Sequence, residues 1–71
     1  MVVLVTAGTP AQKISGILID ESDHGFRVRH PYTGFQPGEK VSFIHRWREG
    51  VARVIWNNAV GSEVETGFAY F

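Results

Sequence analysis

No ten-residue stretch of this 71-residue chain holds a helical period; its apolar side chains fall into six short runs cut by glycine, proline and asparagine. A chain patterned this way must pair strands. The runs are 2–6, 13–20, 26–30, 40–46, 51–56 and 64–71, at the spacing of a small antiparallel barrel. Closing the sheet would remove the exposed edges that so many β-branched and aromatic residues make hazardous. The expected fold is therefore all-β: one six-stranded antiparallel barrel over residues 1–71, with little or no helix.

In chain order, Val2–Thr6 is a β-branched run stopped by the turn Gly8-Thr9-Pro10. Residues 13–20 are apolar on both faces around Ile17-Leu18-Ile19, as a central strand would be. Residues 26–30 alternate, with Phe26 and Val28 on one face and Arg27 and Arg29 on the other. The stretch 30–38 holds proline and glycine twice each and reads as a loop that Pro37-Gly38 turns into the strand Lys40–Arg46. Arg48-Glu49-Gly50 reads as a hairpin turn. The returning strand Val51–Trp56 then puts Ala52, Val54 and Trp56 on one side. Asn57-Asn58 and Gly61-Ser62 bound a last loop before Val64–Phe71, and Trp47 reads as a lid on the barrel's end, with an exposed contact residue as the alternative.

A single core is only just sufficient at this size, and with no cysteine neither disulfides nor thiolate metal sites can help. Packing must supply the stability, and 44% hydrophobic and 13% aromatic residues are enough for a compact core. The formal net charge of zero argues against a general nucleic-acid binder or a polybasic membrane-surface protein. Charge is unevenly spread: residues 24–56 are net basic, and the segments on either side are net acidic. The run Val2–Val5 is too short for membrane insertion or for a signal peptide's apolar stretch, so the cytoplasm is the expected compartment.

Between the second and third runs lies Asp20-Glu21-Ser22-Asp23-His24-Gly25. Asp20 and Ser22 place a carboxylate and a hydroxyl at the end of an apolar strand, and Gly25 permits a positive φ or a close backbone approach. Such a turn suits a ligand with a planar row of N–H donors. The same two side chains can instead cap the turn through its own backbone.

Asp20-x-Ser22-x-x-Gly25, followed by Pro37-Gly38, Ala52-x-Val54-x-Trp56 and Gly67-x-x-x-Phe71, resembles the PilZ domain of bacterial cyclic di-GMP signalling. The likeness spans residues 14–71. It implies a six-stranded barrel, no enzymatic activity, and Asp20, Ser22 and Gly25 as half of a nucleotide-binding site. Ligand-binding PilZ domains also carry R-x-x-x-R before the first strand, and no arginine precedes Val2 here. Arginine serves there because a guanidinium grips phosphate or the O6/N7 edge of guanine with two parallel bonds. Arg27 and Arg29 are the nearest substitutes in sequence, and a preceding segment is another source. Many members of the family add a C-terminal helix where this chain stops at Phe71, as a minimal version or a fragment would.

Other chemistries fit less well. Asp20, Ser22 and His24 have the residue types of a hydrolase triad, but alternate positions of an extended strand lie about 6.6 Å apart, beyond hydrogen-bond reach. His24, His30 and His45 show no metal-ligand spacing and read as surface or partly buried. The aromatics of 66–71 resemble a base-stacking strand, yet Glu63 and Glu65 would repel phosphate, so they read as core. The expected function is a PilZ-like module with cyclic di-GMP binding weak or lost, acting through a protein partner. The alternatives are a barrel binding single-stranded nucleic acid through surface aromatics, and a structural interaction module with no small ligand.

Overall fold

In a computed structural model that describes residues 1–46 and 48–71, the chain is a closed antiparallel barrel of six strands. The strands are β1 (Val2–Thr6), β2 (Lys13–Glu21), β3 (Gly25–His30), β4 (Lys40–His45), β5 (Arg48–Val60) and β6 (Glu63–Tyr70). Around the barrel they run β1-β2-β3-β6-β5-β4, and β4 pairs with β1 to close it. Among the described residues no helix is long and apolar enough to cross a membrane.

Alternation sets the inside. Val2, Leu4, Phe26, Val28, Val41, Phe43, Ala52, Val54 and Phe68 all point into the barrel and are buried. Phe26 lies at the centre, stacked on Phe68 at 5.0 Å between ring centroids and tilted on Phe43 at 4.9 Å. The 30–38 loop adds to this core, because Phe35 is buried and meets Phe68 edge-on. Tyr32 packs in turn on Phe35, so the loop plugs one end of the barrel.

Four expectations of the strand pattern are corrected. Ile17 is 66% exposed: β2 is not apolar on both buried faces, since a closed barrel this small has one interior and Ile17 faces out. Arg48-Glu49-Gly50 is no turn. It opens β5, with His45 paired to Arg48 and the chain reversing after Arg46, whose φ of 52° is left-handed. Asn57-Asn58 continue β5 to Val60, and the turn into β6 falls at Gly61, with φ 62°. Trp56 does not share a face with Ala52 and Val54, because an extra residue, Ile55, shifts the β5–β6 register between Val54 and Trp56. Trp47, expected as a lid, lies outside the described residues.

His30 and His45 are also more buried than their sequence neighbourhood implies, each about 1% exposed. His30 heads a hydrogen-bonded chain. The Tyr32 N–H donates to its Nδ1, its Nε2–H donates to Thr66 Oγ1 at 2.6 Å, Thr66 donates to Asn57 Oδ1, and Asn57 Nδ2 donates to the Phe35 carbonyl. The series has one consistent direction only if His30 is neutral, and burial does hold its pKa below the ordinary value.

Candidate functional site

The site starts from a second irregularity. Leu18 pairs with Val28 but Asp20 with Arg27, so Ile19 is an extra residue in β2. Without it Asp20 would point into the barrel. With it, Asp20 faces outward beside Arg27, and Glu21 turns over the barrel's end.

Arg27 stands opposite Gly67 of β6, and Gly67 stands opposite Trp56 of β5. The two bulges thus line up one outer row: Asp20, Arg27, Gly67, Trp56. Gly67 is needed there because the Trp56 indole lies where a Cβ would be. Gly25 is needed one row on, since a Cβ there would overlap the Phe68 carbonyl oxygen; it serves close strand approach rather than a positive φ. An open groove of about 380 Å³ follows. Its floor is Gly25, Gly67 and Ala69, with Asp20, His24 and Arg27 along one side and Ile55 and Trp56 along the other.

Of the five residues singled out from sequence, the fold brings Asp20, Ser22, Gly25 and Arg27 to this groove and leaves Arg29 out. Arg27 turns its guanidinium onto Asp20 through two parallel bonds, one of them Nε to Oδ1 at 2.8 Å, and reaches Glu65 with Nη1 at 3.2 Å. Arg29 lies 3.6 Å from the other Glu65 oxygen. The hydrogen bond from Arg27 holds the Asp20 carboxyl below its ordinary pKa, and Asp20 raises that of Arg27. As a substitute for the missing arginine motif, Arg27 would have to reach the side of the turn. It does, and spends its charge there.

Ser22 caps the turn. Its Oγ accepts from the His24 N–H at 3.2 Å while its own N–H donates to the Gly25 carbonyl at 2.8 Å. Its contact with His24 is through backbone, not imidazole. Among the described residues no group of three or more His, Asp or Glu side chains is placed to hold a metal ion. The aromatics of β6 divide: Phe68 is core, Tyr70 points toward the barrel's end, and Phe71 is 66% exposed.

At that end, His45 Nε2 lies 3.1 Å from Tyr70 Oη, which donates to Glu21 Oε2 at 3.3 Å. Arg46 closes on the other Glu21 oxygen, and the Arg48 guanidinium sits 3.7 Å over the Tyr70 ring. Burial lowers the His45 pKa, with Glu21 opposing it.

No protein-family model, curated protein or solved structure matches the chain. A six-stranded barrel by itself does not identify a family.

Sequence reasoning missed Glu65, Ile55 and the outward turn of Trp56. Gly67 inside an aromatic strand was the available signal, because a strand glycine marks a place where something lies close.

Proposed function

We propose that this chain is a PilZ-like regulatory module of cyclic di-GMP signalling, with ligand binding weak or lost, that acts in the cytoplasm through contacts with a protein partner. The observation that carries this reading is the closure of Arg27 on Asp20, with Glu65 taking the remaining charge of Arg27 and Arg29. A cyclic dinucleotide needs cationic donors for two phosphates and a free carboxylate for the guanine N–H edge. Here Arg27 and Asp20 satisfy each other, and Arg29 is drawn to within 3.6 Å of Glu65. The ordered motif residues support the family reading, and the groove beside the turn is where a ligand of that chemistry would sit.

The test is an amide-shift titration of ¹⁵N-labelled protein with cyclic di-GMP. The reading expects no saturable shifts at Ser22–Arg27 or Gly67–Ala69. Saturable shifts confined to those residues, absent with GTP, would make the module a receptor instead.

A further inference from the structure

The outer surface divides into two unlike halves. Over β3 and β6 it is polar and internally paired, through Arg27, Arg29 and Glu65, with Asp20 joining from the end of β2. Over β1 and β4 the outward side chains are Val3, Val5 and Ile44, with Ser42 among them and Lys40 at the margin. Strand register places two outward rows there: Ser15, Val3, Ile44, Glu49, and beside it Lys13, Val5, Ser42, Val51. Ile44 is 51% and Val51 45% exposed, and Ile17, two residues past Ser15 on β2, extends the patch.

The two charges on these rows occupy opposite corners. Lys13 lies on β2 at one end of the diagonal and Glu49 on β5 at the other. Neither makes an ion pair among the described residues. A face that is apolar in the middle, with one charge of each sign at diagonal corners, is complementary to itself: a two-fold axis lying in the face seats apolar rows on apolar rows and puts each Lys13 against the other copy's Glu49. The net charge of zero removes overall repulsion between copies.

We propose that the chain forms an isologous dimer through this β1–β4 face, with reciprocal Lys13–Glu49 pairs at its two ends. Two rows across four strands cover less than the roughly 800 Å² per partner of a standard interface, so the dimer is weak, with a dissociation constant on the order of 100 µM. The inference is independent of any nucleotide.

Sedimentation equilibrium over roughly 10 µM to 1 mM, about a decade to either side of that constant, tests it. The mass rises from 7.9 kDa toward twice that value. Ile44→Lys, an outward substitution whose folding circular dichroism checks, holds the chain monomeric. Lys13→Glu and Glu49→Lys each weaken association roughly tenfold, and the double reversal restores it to within about twofold. A mass fixed at 7.9 kDa throughout overturns the proposal. So does association indifferent to Ile44→Lys, which places the contact elsewhere, or a double reversal no better than the single ones.

Discussion

Arg27 reaches across the bulge at Ile19 to hold Asp20 with two parallel hydrogen bonds, and this contact decides what the acidic turn can offer a ligand. Both groups are solvent-exposed, so the contact matters for availability more than for stability.

The Asp20 carboxyl therefore titrates below its ordinary value while Arg27 is present. Arg27→Ala raises it back to the ordinary carboxylate range, read by ¹³C NMR. A lowered folded pKa means that the pair's stabilisation is present above the unfolded value and is lost as pH falls through the folded one. An Asp20 pKa unmoved by Arg27→Ala would show that the pair does not form in solution.

Gly25→Ala and Gly67→Ala separate two kinds of close approach. At Gly25 the obstacle is the Phe68 backbone, which cannot yield without opening the β3–β6 seam, so the cost is about 2–4 kcal/mol in urea unfolding. At Gly67 it is the Trp56 side chain, which can swing away. The cost there is about 1 kcal/mol or less, and Trp56 emission shifts red as the ring enters water.

Much of the barrel was legible because one face of each strand is buried. Phe26/Val28 against Arg27/Arg29 gives the orientation of β3 outright, and Val41 with Phe43 does the same for β4. The bulges were not legible. A bulge is a register choice between two strands, and Ile19 and Ile55 look like ordinary members of their runs until the partners Arg27 and Gly67 are known. For the same reason the turn residues Asp20, Ser22 and Gly25 could be named from sequence, while Trp56 across the groove could not. The buried histidines were hidden too, since their hydrogen-bond partners Thr66 and Tyr70 lie far along the chain.

Acid weakens the fold through those histidines. His30 and His45 are both held below the ordinary value of 6.5, chiefly by burial. Their contribution is complete above about 6.5 and declines as pH falls below it, because the unfolded chain then binds protons that the folded one resists. Urea midpoints at pH 7.5, 6 and 5 should fall in that order. A midpoint constant across this range would mean that both rings protonate freely in the folded state.

Thr66→Val keeps the shape and removes the hydroxyl between His30 and Asn57, leaving the buried His30 Nε2–H unpaired while the exposed Asn57 amide turns to water. The expected loss is about 1–3 kcal/mol in urea unfolding. In the parent protein, ¹⁵N NMR should find His30 as the neutral Nε2–H tautomer. The opposite tautomer would break the direction of the Tyr32–His30–Thr66–Asn57 series.

The most direct test of the closed site is a calorimetric titration of the protein with cyclic di-GMP, with GTP as control and Asp20→Ala beside it. With Arg27 and Asp20 satisfying each other, no saturable heat is expected up to roughly 1 mM ligand, a binding free energy weaker than about −4 kcal/mol. Saturable heat, selective over GTP and lost in Asp20→Ala, would contradict the account and show that the turn opens to take the nucleotide.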